Sequence, residues 1–148
     1  MNAITLYTVG FTRTSAESFF TLLRDAGVKR IIDIRLNASS QLAGFAKRED
    51  LRFFLNAICA IDYMAVPEFA PTKELLDDYR GGACGWEDYE RRYRALLDER
   101  DAEHALTRDM LDRGCLLCSE HEPDRCHRRL AADYLAEKLG KIHIVHLL

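Results

Sequence analysis

The sequence predicts a single doubly wound α/β domain, Rossmann-like, on a mostly parallel sheet of about five strands. Three observations predict it. Short β-rich apolar runs alternate along the chain with amphipathic helical stretches, which calls for crossover connections and a sheet covered on both faces. The chain has 148 residues, the size of one domain, so residues 1–148 read as a single unit. Residue types suited to chemistry cluster just after the apolar runs, where parallel sheets bind their ligands.

The elements follow in order. Ile4 to Val9 is β-rich and ends at Gly10, a strand running into a tight turn. Thr14-x-x-Glu17 has the capping-box pattern ahead of Phe19, Phe20, Leu22 and Leu23, and Gly27 suits a left-handed helix end. Val28 to Arg35 reads as a second, buried strand with Asp33 and Arg35 at its exit. Leu51, Phe54, Leu55 and Ile58 follow the stripe of a surface helix. Ile61 to Val66 is a short third strand stopped by Pro67. Thr72 caps a helix through Leu75, Leu76 and Tyr79, closed by Gly81-Gly82. Tyr89, Tyr93, Leu96 and Leu97 mark another helix, and Gly114 releases the apolar strand Cys115 to Cys118. Pro123-Asp124 opens a helix carrying Leu130, Ala131, Tyr134, Leu135 and Leu139 inward, and Ile142 to Val145 is the last strand.

Composition narrows the function classes. A hydrophobic share of 48% and a charged share of 30% are ordinary for a globular domain. A net charge of −3 gives no global attraction to nucleic acid or to acidic membranes, so any nucleic-acid contact must come from a local basic cluster. The apolar runs fall short of the roughly 20 residues of a membrane span, and the N-terminus does not read as a signal peptide. Five cysteines at irregular spacing fit reduced thiols, and a cytoplasmic location is expected.

The densest stretch for chemistry runs from Cys118 to Arg129, out of a strand end and into a helix. With Asp124 as N-cap, Cys126 and His127 fall in the first turn, where the helix dipole favours a thiolate or a bound anion. Arg125, Arg128 and Arg129 act in the same direction. Taken singly, each residue has an ordinary structural use; the grouping of Cys118, Glu120, Cys126, His127 and Arg128 is what points to a site. Cys115-x-x-Cys118 is not a redox pair, because side chains three apart on a strand point to opposite faces. A phosphate-cradling loop from Cys118 to Arg125 is one residue too long and carries Glu120, Glu122 and Asp124, which repel a phosphate. A zinc set of Cys118, Glu120, Cys126 and His127 has the right ligand types. It lacks paired CxxC spacing, and the consecutive Cys126-His127 are expected to point apart, so no metal and no cofactor is assigned. Asp33 and Arg35, two apart on a strand, face the same side. They read as a structural salt bridge or as a carboxylate presented for catalysis. Thr8, Gly10 and Thr12 close the first strand with backbone able to approach a ligand.

Thr8 to Thr12, Asp33 to Asn37, Ser40 with Gly44-Phe45, Pro67 to Lys73, and Cys118-Ser119-Glu120 through Cys126-His127-Arg128-Arg129 together resemble the prokaryotic family called domain of unknown function 488. The resemblance covers nearly the whole chain in the right order. It implies a small Rossmann-like α/β domain with a C-x-E…C-H-R signature, falling here on Cys118, Glu120, Cys126, His127 and Arg128, and a D-x-R element on Asp33 and Arg35. It departs at Ala65, where relatives often carry a histidine, and at Ala38, where they often carry a proline. Position 65 is therefore left out of the site.

The expectation drawn from these residues is one cleft at the strand carboxyl ends. Asp33, Cys118, Glu120 and Cys126 are its candidate catalytic residues. Gly10, Thr12, Arg35, Glu68, His127 and Arg128 are its candidate ligand-binding residues. Arginines beside a helix start suit a small anionic ligand such as a nucleotide or modified nucleoside, and an enzyme of hydrolase or transferase type is the leading reading. A non-catalytic nucleotide or nucleic-acid binding module, and a metal or thiol-redox protein using Cys118 and Cys126, are the alternatives.

Overall fold

The computed structural model describes residues 2–36, 44–119 and 125–148. The strands are β1 (Ile4–Gly10), β2 (Arg30–Asp33), β3 (Asp62–Ala65), β4 (Gly114–Cys118) and β5 (Ile142–His146). The helices are α1 (Ala16–Ala26), α2 (Arg48–Cys59), α3 (Lys73–Arg80), α4 (Trp86–Arg100), α5 (Arg108–Leu111) and α6 (His127–Leu139). The five strands form one sheet in the order β3-β2-β4-β1-β5, every neighbouring pair parallel. This is the Rossmann-like α/β fold that the alternating runs predict.

Period-two alternation divides the strands between two cores. Ile31, Cys115 and Leu117 pack with Phe19, Phe20 and Leu23 of α1 and with Leu51 and Leu55 of α2. Leu6, Ile32 and Leu116 pack on the other face with Leu75, Tyr93, Leu97, Leu111 and Leu135 of α3 to α6. Each fully covered aliphatic or aromatic side chain contributes about 1.5–3 kcal/mol, which binds each helix to its own face. The distribution of helices fixes the switch point. From β2 the chain crosses by α2 to β3 on one face, and from β4 it crosses by α6 toward β5 on the other. β2 and β4 are neighbours, so the connections part in opposite directions at their carboxyl ends, the crevice where open α/β sheets bind ligands.

The helix signals hold with two shifts. Gly27 ends α1 at φ +80°, where a side chain is strained, and the Thr72 hydroxyl accepts from the Leu75 amide at the start of α3. The N-cap of α1 is Ser15 rather than Thr14: Ser15 is extended and its hydroxyl accepts from the Ser18 amide. Both residues qualify by type, and the path of the chain out of β1 selects the second. At the other end α6 begins at His127 with Cys126 as an extended N-cap. Cys126 therefore stands before the first turn and not within it. Pro123-Asp124, expected to open that helix, lies outside the described residues. α5 and the 3₁₀ turn Ala102–Ala105 are too short to leave a periodic signal in sequence.

Candidate functional site

Gly10 and Cys118, the last residues of β1 and β4, are partners in the parallel register. Cys118 has the strand parity of Leu116 and faces the α6 side. Across the gap stands Cys126, and both cysteines are buried. Their sulfurs are joined as a disulfide, with the Cα atoms 7.6 Å apart. The expectation of a separate reactive thiol is altered accordingly: the two sulfurs meet each other. Cys115, on the opposite face, is buried and free, as the alternation requires.

The ligand atoms of Cys118, Cys126 and His127 lie within 4.8 Å of one another. This corrects the expectation that consecutive Cys126 and His127 point apart. Cys126 is extended at φ −134°, ψ 142° while His127 is already helical, and the change of backbone conformation between them turns both side chains to one spot.

Three further contacts fix this cluster. The His127 Nε2 is 2.8 Å from the Ile34 carbonyl oxygen, which only accepts, so Nε2 carries the proton and Nδ1 keeps its lone pair. The ring is edge-on to Tyr93 at 5.7 Å. Desolvation holds the His127 pKa down to about 4, against the opposing pull of the Ile34 hydrogen bond. Arg128 is fully buried; its Nε donates to the Thr8 hydroxyl at 3.2 Å and its Nη1 to the Cys118 sulfur at 3.5 Å. A guanidinium on that sulfur favours its thiolate form whenever the pair is reduced. The Thr8 oxygen also stands 2.6 Å from His146 Nδ1, so Arg128, Thr8 and His146 form a chain under the site. Sequence reading named Thr8 only for its backbone at the strand end and left His146 out of the site. The available signal was the parity of Thr8, two residues before Gly10; His146 comes close only through the β1–β5 pairing.

Asp33 and Arg35 reach the same edge of the sheet, since Asp33 pairs with Leu117 next to Cys118. They lie, however, on the α2 side. Arg35 donates from Nε and Nη2 to the two Asp33 oxygens at 2.8 and 2.7 Å, and from Nη1 to the Ala46 carbonyl at 2.6 Å. Tyr63 donates to the same carboxylate at 2.5 Å, and desolvation followed by that negative charge pushes its own pKa up. The carboxylate is thus held by protein donors, and the arginine fork is turned inward. Both residues are placed as a buried structural pair, the first of the two readings their spacing allows. Ala65, the position left out of the site, pairs with Asp33 in register.

The remaining candidates separate. Thr12 donates its amide (3.0 Å) and its hydroxyl to the Ser119 carbonyl, clasping the β1 and β4 exits together. Glu68 is exposed in a 3₁₀ turn after β3, and its carbonyl accepts from Arg100 at 2.9 Å. Glu120 lies outside the described residues. A separate groove of about 580 Å³, lined by residues such as Phe20, Phe45, Phe54 and Ile58, opens between α1 and α2 and holds none of the residues of the thiol cluster. No helix among the described residues is long and apolar enough to cross a membrane.

Fold and geometry together define a doubly wound α/β protein with sulfur, imidazole and a buried guanidinium gathered at its switch point. The chain belongs to the family described as Domain of unknown function DUF488, whose model matches residues 15–135. That span takes in Asp33, Arg35, Cys118, Cys126, His127 and Arg128, while Gly10 and Thr12 precede it. No curated protein and no solved structure matches the chain.

Proposed function

We propose that this protein is an enzyme acting on a small anionic substrate, of the nucleotide or nucleoside-phosphate class, at the carboxyl ends of β2 and β4. The observation that carries the reading is the convergence of Cys118, Cys126, His127 and the buried Arg128 on the switch point of the sheet. Buried positive charge and the amides of the first turn of α6 make the local potential favourable for an anion. Once the Cys118–Cys126 bridge is reduced, a thiol or thiolate and an imidazole with a lone pair on Nδ1 are groups able to attack or to move a proton. Arg35 has no part in holding the ligand on this reading, because its donors are spent on Asp33 and Ala46.

The test is calorimetric titration with nucleoside monophosphates, nucleosides and inorganic phosphate, with chromatography of each mixture for turnover. Charge-assisted hydrogen bonds contribute about 1.5–3 kcal/mol, so Arg128→Met weakens binding roughly ten- to a hundredfold, while Arg92→Ala on α4 leaves it unchanged. Binding without turnover would make the chain a binding module. Failure of every probe to bind, or equal binding by folded Arg128→Met, would remove the reading.

A further inference from the structure

We infer that Cys118, Cys126 and His127 form a three-ligand site for a thiophilic divalent metal, zinc above all. The inference adds a cofactor to the site of the proposed function, and its ligand geometry stands without that reading.

Ligand chemistry comes first. Two sulfurs and one imidazole with their ligand atoms within 4.8 Å are a Cys₂His set, the donor combination that suits zinc and leaves one position of a tetrahedron for water or substrate. The backbone supports a metal better than a bridge. The two Cα atoms stand 7.6 Å apart, beyond the roughly 4.4–6.8 Å that a disulfide usually spans. Two thiolates on one zinc sit about 3.8 Å apart, given Zn–S bonds of about 2.3 Å and a tetrahedral angle, so a metal tolerates the wider separation.

The surroundings point the same way. Histidines that bind metals hold their second nitrogen to a carbonyl or carboxylate, which fixes the tautomer and aims the ring. His127 has a carbonyl partner of that kind, with Nε2 donating to the Ile34 carbonyl at 2.8 Å, which leaves the lone pair on Nδ1 as its ligand electrons. All three ligands come from anchored backbone: the end of a central strand and the cap and first residue of a helix. Arg128 at the Cys118 sulfur and the helix dipole offset negative charge on the thiolates. The Cys118–Cys126 bridge is first opened by a thiol reductant, which is itself oxidised to its disulfide and leaves two Cys thiols; metal binding to those thiols involves no further change of oxidation state. Zinc replaces the two thiol protons, which pass to solvent, and two Zn–S bonds and one Zn–N bond form.

The wild-type protein, purified under reductant and without chelator, decides the matter before any variant is made. The inference expects stoichiometric zinc by mass spectrometry and, after denaturation, all five cysteines titrating as free thiols. Three free thiols in unreduced protein would show that Cys118–Cys126 is a stable disulfide and would overturn it. Cobalt added to metal-free protein should give thiolate-to-metal absorption, lost in Cys118→Ser and Cys126→Ser and kept in Cys84→Ser. His127→Ala should weaken cobalt binding about tenfold or more, since even indirect partners of metal ligands matter to that extent. Unchanged cobalt spectra in both serine variants would refute the assignment. Metal binding with no response to any nucleotide or phosphate would leave the metal site in place and remove the anion reading; the reverse result would do the opposite.

Discussion

The Asp33–Arg35 pair gives the most direct measure of how this edge of the sheet is built. Arg35→Met removes two charge-assisted bonds to Asp33 and one to the Ala46 carbonyl. The side chains are only 2% and 1% exposed, so water cannot replace the lost donors. Asp33 keeps the Tyr63 hydroxyl at 2.5 Å and the Arg35 amide at 3.1 Å, too little for a buried carboxylate. Removing one partner of a buried pair costs about 3–5 kcal/mol, out of a total stability of about 5–15 kcal/mol for a domain. At about 2–4 °C per kcal/mol, Tm falls by roughly 6–20 °C. Urea denaturation of wild type, Arg35→Met and Asp33→Leu/Arg35→Met measures it. The double variant should recover about half the loss or more, because no isolated charge is left inside. A loss under about 1 kcal/mol in Arg35→Met, the value of an exposed ion pair, would refute the burial of this pair.

Three further outcomes are expected. Thr12→Val removes the hydroxyl that donates to Ser119 and should cost about 0.5–1.5 kcal/mol in urea denaturation, with no loss showing that the exits of β1 and β4 are held by other means. Gly114→Ala places a Cβ 2.8 Å from the Met110 carbonyl oxygen and 2.9 Å from the Ile32 side chain, so thermal unfolding should show about 1–3 kcal/mol of overpacking cost. Cys115, whose thiol pKa is pushed up by complete burial, should label with iodoacetamide more slowly than the partly exposed Cys59 and Cys84 in native protein; peptide mapping with equal rates would contradict that burial.

Much of this molecule was legible along the chain. Strand and helix positions follow from apolar period and from caps such as Thr72 and Gly27, because those signals act over a few residues. The gathering of motifs at the carboxyl edge also follows, since parallel strands all end on one side. The disposition of the motifs between faces was set by the assembled sheet. Asp33 and Cys118 look equivalent in sequence, each at a strand exit, yet the register that pairs Asp33 with Leu117 sends them to opposite faces. Arg35, an anion ligand by its type, is a buried partner of Asp33 because the Ala46 carbonyl and Tyr63 close around the pair from segments distant in sequence. His127 joins Cys118 and Cys126 because the helix begins one residue after Cys126 and the Ile34 carbonyl waits at the neighbouring strand exit. The sequence by itself determined which residues sit at strand ends; which of them share a face, and which spend their hydrogen bonds on each other, was decided only when long-range pairing and the burial of polar groups brought separate segments together.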